Sequence, residues 1–210
     1  MIGTEEPARR IGGLYGAVLT ATVDAFLSSH PDLKGQSCYT FHLGCGGAVM
    51  MCSKKQTIAT TSSTDSELLS LGDPFLPDVQ WARNFLAELG YDQRILMPEG
   101  TPVGEDNTST IKILMNNMNT GKIKNLNIRI AALREALADK QFHLFHLDTK
   151  DMIADIGTKA LAPGVYKHLS DYVLGLINLD AFIPFLENHY KAHGCFHTLT
   201  TSDNVDLTPC

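Results

Sequence analysis

Three strand signals in succession, ahead of any helix signal, constrain this 210-residue chain more than any other feature. Residues 13–25 (GLYGAVLTATVDA) are apolar and β-branched and close on a single carboxylate, Asp24, as a buried strand does. Residues 30–37 (HPDLKGQS) gather Pro, Asp and Gly into turn chemistry. Residues 39–43 and 48–59 read as two further strands, joined by a GCGG turn at 44–47. The chain is therefore predicted to open as an antiparallel three-strand unit.

From Ser62 the period changes. Ser63-Thr64-Asp65-Ser66-Glu67, followed by Leu68, Leu69 and Leu71, reads as a helix start, with Thr64-x-x-Glu67 as its capping box. Pro74 and Pro77 should end or kink that helix. A second helix over 78–89 closes on Gly90 and carries Trp81, Phe85 and Leu89 as its core stripe. Residues 95–104 (ILMPEGTPVG) form a loop that enters a short strand ending at Glu105-Asp106. Residues 107–118 and 123–140 read as helices, the second with Leu126, Ile130, Leu133 and Leu137 at helical spacing. FHLFHL at 142–147 is a last strand and 150–161 a last helix. The order β-β-β-α-α-β-α-α-β-α is that of one α/β domain over 13–161, behind a leader at 1–12. A helical extension over 162–191 and a polar, disordered tail over 192–210 complete the expected organisation.

Composition excludes several classes. At 44% hydrophobic and 19% charged, the chain can bury a core and is not globally disordered. No apolar run is long enough to span a bilayer, and MIGTEEPARR has no signal-peptide core. Five cysteines without a CxxC pair argue against a zinc ribbon or disulfide framework, and for Cys38, Cys45 and Cys52 as small apolar groups. The net charge of -6 is unevenly placed: residues 61–120 hold 9 acids against 3 basic groups, whereas 121–160 hold 7 basic groups against 5 acids. Acidity overall therefore does not exclude a polyanionic partner.

Four acids fall at element ends. Asp24 closes the first strand, Glu67 lies in the first helical turn, Asp106 follows the fourth strand, and Asp155 sits between apolar residues of the last helix. If strands one and four are neighbours and the two helices pack across their ends, all four carboxyls converge. Such a cluster repels itself unless cations fill it, and two Mg²⁺ about 4 Å apart would neutralise it. Each acid also has a purely structural reading. Glu67 can close a capping box, Asp106 can cap the following helix, Asp24 can begin a turn, and Asp155 can pair with Lys159 at i+4.

Ser53-Lys54-Lys55-Gln56 followed by Ser62-Ser63-Thr64-Asp65-Ser66-Glu67 resembles the "SSKKQ…SSTEAEY" segment of the ribonuclease H domain that ends copia-type LTR retrotransposon Gag-Pol polyproteins. Further pieces follow in the family's order. WARNFLAELG at 81–90 is similar to "WLRRLLEELG", EDNTSTI at 105–111 to "CDNQSAI", and IADIGTKAL at 153–161 to "LADILTKPL". Val23-Asp24-Ala25 matches "SDAD", residues 34–44 match "KSTSGYVFFLG", and residues 166–176 match the closing "F..LR..LGL". The resemblance spans about residues 13–177.

It implies an RNase H-like fold: a five-stranded mixed sheet, three antiparallel then two parallel strands, flanked by helices. It also implies cleavage of the RNA strand of RNA–DNA hybrids beside a reverse transcriptase polymerase domain. Its catalytic, metal-holding acids fall on Asp24, Glu67, Asp106 and Asp155. They would hold two Mg²⁺, or Mn²⁺, one activating the attacking water and the other stabilising the leaving 3′-oxygen. Lys54, Lys55, Asn107, Lys122, Lys124 and Arg129 are the expected nucleic-acid contacts. The implied setting is intracellular, in cytoplasmic virus-like particles or the nucleus, with no membrane partner.

The chain also departs from the family. Where the family has "TKHIDIRYHFIRE", both histidines and the Asp are replaced by Asn125, Ala131 and Asn127. "DADWAG" becomes Asp24-Ala25-Phe26-Leu27-Ser28, and Gly72, Pro74 and Pro77 enter the helix after Glu67. These changes suit a divergent active copy, or a catalytically silent or domesticated module that binds nucleic acid or protein. The chain begins with Met and has no polymerase portion, as a fragment, an isolated gene or a domesticated domain would. HYKAHGCFH offers His189, His193, Cys195 and His197 as transition-metal ligands, although scattered polar surface residues explain it more simply.

Overall fold

A computed structural model describes residues 17–115, 126–178, 180–184 and 186. The opening strand signals form an antiparallel meander. β1 (Leu19–Phe26) pairs with β2 (Lys34–Leu43), setting Asp24 opposite Cys38, and β2 pairs with β3 (Ala48–Ala59), setting Tyr39 opposite Cys52. The 34–37 segment, read as a turn, joins β2. Its pairings, Gln36 and Ser37 with β1 and Lys34 with Ala59 of β3, outweigh the turn preference of Lys-Gly. β4 (Thr101–Glu105) lies parallel to β1, with Ala21 opposite Val103 and Thr22 opposite Gly104, and β5 (Phe142–His146) lies parallel to β4. The sheet order is β3-β2-β1-β4-β5, the expected five-stranded mixed sheet.

β1 is central, and every residue but its last is buried. Its threonines therefore need internal partners. Thr22 and Thr40 share a 2.7 Å hydroxyl contact, Thr20 donates to the Gly44 carbonyl at 3.0 Å, and His42 Nδ1 lies 3.0 Å from the Gly46 carbonyl. Burial holds the His42 imidazole down at about 4, so it is neutral at physiological pH.

On one face, α1 (Ser63–Ser70), the turn that follows it and α2 (Leu76–Glu88) pack Leu68, Leu69, Phe75 and Val79 against Val23, Tyr39, Phe41 and Val103. Ile130 and Leu133 of α5 (Asn127–Ala138) complete this core. Phe75 meets Phe142 edge-on at 5.4 Å. Each such buried side chain contributes about 1.5–3 kcal/mol. Short α3 (Gln93–Leu96) precedes β4, and α4 (Thr108–Met115) follows it.

The chain does not break at Pro74. Leu71–Phe75 form one π-helical turn, and α2 starts directly after it, with Pro77 in its first turn. The wider turn omits the backbone bond that proline cannot donate. Trp81, Phe85 and Leu89 are not core: they stand 56%, 46% and 57% exposed, the two rings stacked at 5.3 Å. α2 carries a second stripe, Leu76, Val79, Ala82, Arg83 and Leu86, and it is that one which packs. Residues 150–161 form 3₁₀ turns at Thr149–Asp151 and Ile153–Gly157 instead of one helix. Met152 between them has extended angles (φ -74, ψ 90).

On the other face, Val18, Cys45, Met97, Ile153, Phe182 and Leu186 form a smaller core. α6 (Pro163–Val173) reaches it through Tyr172 and Val173. The turn after α6 presses on the β2–β3 turn, and a Cβ on Gly47 would lie 2.8 Å from the Gly175 nitrogen. The start of the helical extension thus packs on the domain. Cys38 and Cys45 are buried thiols, and Cys52 is half-buried. His189, His193, Cys195 and His197 lie outside the described residues, as does the tail. Among the described residues no helix is long and apolar enough to cross a membrane.

Candidate active site

Parallel pairing of β1 and β4 brings their C-terminal ends to one edge of the sheet. Continuing the Thr22–Gly104 register sets Asp24 opposite Asp106. α1 crosses this edge, tied down by a 3.1 Å bond from Ser70 Oγ to the Asp24 carbonyl, and delivers Glu67. Carboxylate oxygens of Asp24, Glu67 and Asp106 all lie within 4.8 Å of one another.

Two of the structural readings fail. The N-cap of α1 is Ser62, whose Oγ accepts from the Asp65 N–H at 3.1 Å, so Glu67 takes no part in capping. α4 is capped by Asn107, whose Oδ1 accepts from the N–H groups of Ser109 and Thr110 at 3.0 and 3.3 Å. Asp106 is thus left to the cluster, where its Oδ2 accepts from Thr149 Oγ1 at 2.9 Å. Asp24 Oδ2 accepts from Thr158 Oγ1.

The cluster is electrostatically strained. Burial first, then the Glu105 and Asp24 charges, push the Glu67 carboxyl well above its ordinary range, opposed by the Ala25 N–H. Glu67 is only 3% exposed, and its Oε2 has no hydrogen-bond partner among the described residues. An orphaned carboxylate oxygen beside two further acids fits a hard divalent cation, which favours oxygen ligands.

Asp155 falls outside the group of three but lies within hydrogen-bonding reach of the Asp24 carboxyl. It lies on a 3₁₀ turn, and its Oδ1 is 2.7 Å from Lys159 Nζ, the i+4 pairing foreseen as its structural role. It is still close enough to Asp24 to respond to it. Burial and the Asp24 charge raise its carboxyl to about 7, against the Lys159 ammonium. Burial works against the charged form of Lys159, but Asp24, Asp155 and Asp106 together raise it.

Glu105 went unread in the sequence. It ends β4 fully buried, its Oε1 accepting from the Asn107 N–H at 3.0 Å and its Oε2 without a partner. Burial raises its carboxyl well above the ordinary range, opposed by the Asn107 N–H and reinforced by Asp106 and Asp24. The available signal was an acid inside the otherwise uncharged strand TPVGE.

The expected nucleic-acid contacts are dispersed. Lys54 and Lys55 are exposed on β3, Lys55 paired with Asp32 at 2.9 Å. With Ser37, Gln56, Asp73 and Pro74 they line a shallow, open cleft. Arg129 is bound at 2.5 Å to Asp73 on the π turn, a scaffold contact. Lys122 and Lys124 lie outside the described residues.

No protein-family model matches the chain. Its backbone resembles solved ribonucleases H. LC11-RNase H1, isolated from compost, superposes with a TM-score of 0.50 at 12% identity, covering 67% of this chain and 92% of that one. RNase H1 from Halobacterium salinarum NRC-1 gives a TM-score of 0.46 at 16% identity, covering 68% and 95%. The LC11-RNase H1 superposition and the β3-β2-β1-β4-β5 mixed sheet make the fold RNase H-like. In sequence, the chain is 26% identical over 144 residues to the retrovirus-related Pol polyprotein from transposon TNT 1-94 of Nicotiana tabacum, a match over 69% of this chain. It spans about 10% of that polyprotein's length. In sequence the chain is thus similar to one part of a retrotransposon Pol polyprotein, and in backbone to a ribonuclease H.

Proposed function

We propose that this chain is an endonuclease hydrolysing the RNA strand of RNA–DNA hybrids, the RNase H part of a copia-type retrotransposon reverse transcriptase. One observation carries the reading. Three carboxylates from three separate elements meet within 4.8 Å at one sheet edge, and one of them keeps a buried, unpartnered oxygen. Like charges are not brought together this way for stability alone. Asp24, Glu67 and Asp106 would hold Mg²⁺, or Mn²⁺. Bound divalent cations, as a pair in the two-metal scheme, supply an activated water and stabilise the leaving oxygen of a phosphodiester.

The chain's own groups orient that site. Thr158 and Thr149 fix Asp24 and Asp106 by hydroxyl donation, and the Asn107 cap fixes the start of α4. Asp155 is the proposed fourth acid, beside Asp24 and paired with Lys159. Lys54 and Lys55, on the exposed strand, are proposed to contact phosphates, together with Lys122 and Lys124. A hybrid would be read by shape and 2′-hydroxyls, not by base sequence. The copia assignment rests on the motif set around Ser53–Glu67, Glu105–Ile111 and Ile153–Leu161. On the same reading, the working partner is a polymerase domain of the parent polyprotein, and the setting is cytoplasmic particles or the nucleus.

The Asp155–Lys159 ion pair favours a second reading, a silent domain that binds nucleic acid or protein without cutting. Incubating a labelled RNA–DNA hybrid with Mg²⁺ separates the two, comparing the native chain with Asp106→Asn. Cleavage by the native chain that the variant loses supports the nuclease. No cleavage by folded native protein supports the silent module, and cleavage that survives in Asp106→Asn removes the site assignment.

A further inference from the structure

Glu105 is an acid that the three-carboxylate site does not use. Side chains alternate along β4, so Glu105 shares the face of Val103, which packs in the core with Leu68 and Leu69 of α1. That is the face from which α1 delivers Glu67. Glu105 is fully buried, and its Oε2 has no hydrogen-bond partner among the described residues. Glu67 Oε2 is in the same condition. After burial itself, the Glu105 charge is the largest influence on Glu67. β4 and α1 thus each carry a buried carboxylate oxygen with no hydrogen-bond partner among the described residues.

Scaffolding does not require this. The Asn107 N–H needs an acceptor, and Glu105 Oε1 supplies one at 3.0 Å, but a neutral amide oxygen would serve equally. The second oxygen and the charge are left without a structural partner. Buried carboxylates are ordinarily paired or coordinate metals.

We propose that Glu105 is a further carboxylate of the divalent cation site, in addition to Asp24, Glu67, Asp106 and the proposed Asp155. It is a positioning residue behind Glu67 that raises the site's affinity above what Asp24, Glu67 and Asp106 provide. The three inner carboxylates remain the direct ligands, and Glu105 acts on the ion through its charge and through Glu67. Outer groups of this kind commonly change metal affinity by about 10- to 100-fold. The inference rests on Asp24, Glu67 and Asp106 forming the cation site.

The test is titration of the whole chain with Mn²⁺ alone, by calorimetry, alongside thermal melts in the presence of a chelator. Glu105→Gln keeps the acceptor for Asn107 and removes the charge. It is expected to weaken Mn²⁺ binding about tenfold while raising the metal-free melting temperature, because a buried repulsion is gone. A merely structural role moves neither in that combination. Glu105→Met, which removes both oxygens, should weaken Mn²⁺ binding at least as much. Equal Mn²⁺ affinity in native protein and Glu105→Gln overturns the proposal and leaves the three-acid site standing. Failure of the native chain to bind Mn²⁺ any better than Asp106→Asn overturns the three-acid site, and this inference with it.

Discussion

Asp106→Asn should make the metal-free protein more stable, the reverse of what most substitutions do. Asp106 lies in a group whose carboxylate oxygens are within 4.8 Å of one another. Two unit charges at that separation repel by about 3 kcal/mol at an effective dielectric near 20. Burial and its acidic neighbours hold the Glu67 carboxyl well above its ordinary range. The substitution removes the repulsion of Asp106 with the other carboxylates of the group, Asp24 among them. Asp106 is half-buried, and solvent reduces the effect to about 1–3 kcal/mol. For a domain near 150 residues that corresponds to roughly 3–10 °C in Tm. The asparagine carbonyl retains the acceptor for Thr149 Oγ1, so no bond is lost in exchange.

Mg²⁺ should reverse the ranking. At about 10 mM and a Kd near 1 mM, the native chain would gain roughly 1.4 kcal/mol by mass action, and the variant much less. Calorimetric melts with EDTA and with Mg²⁺ read both quantities. A variant that is less stable in EDTA and answers Mg²⁺ as the native chain does would refute the reasoning.

Other outcomes follow from single contacts. His42 is held near 4, below the ordinary 6.5, so it stays neutral when folded and protonates when unfolded. Its contribution is complete above pH 6.5 and is lost as pH falls towards 4, about 3 kcal/mol in all; urea unfolding should show that slope flattened in His42→Gln. Gly157→Ala would place a Cβ 2.5 Å from Cys38 Sγ and 2.8 Å from Met51 Cε, costing about 1–3 kcal/mol and shifting the turn that carries Asp155 and Thr158. Chemical denaturation and the cleavage assay would register the two effects. Arg129→Ala removes a half-exposed ion pair to the π turn, and denaturation should show a loss of about 1 kcal/mol or less. Replacing Lys54 and Lys55 together by Ala should weaken hybrid binding and lower its salt slope by roughly 1.4–1.8, measurable by fluorescence anisotropy.

What could be read in the chain depended on whether a feature is local. The sheet was legible because strand length, turn chemistry and the β-to-α change of period sit within short windows. Asp24, Glu67 and Asp106 were legible because an acid at the end of an apolar element leaves a one-dimensional trace. Glu105 was hidden by its neighbour: two consecutive acids look like one polar strand end, and only the pleat separates the buried one from the one at the cluster. α2 defeated its pattern because it bears two apolar stripes, and which stripe packs depends on the sheet beneath it. Pro74 defeated a local rule because a π turn, stabilised by Arg129 from a distant helix, absorbs it. For Asp155, spacing supported both an ion pair with Lys159 and membership of the cluster. The folded chain makes the pair and keeps Asp155 within electrostatic reach of Asp24.

The central claim is that Asp24, Glu67 and Asp106 form a divalent cation site. Anomalous diffraction from crystals soaked in Mn²⁺ tests it most directly. The account predicts a peak among these three carboxylates, with oxygen ligands at about 2.0–2.3 Å, that disappears in Asp106→Asn. A native crystal with its strongest Mn²⁺ peaks elsewhere, and none at this sheet edge, would contradict it.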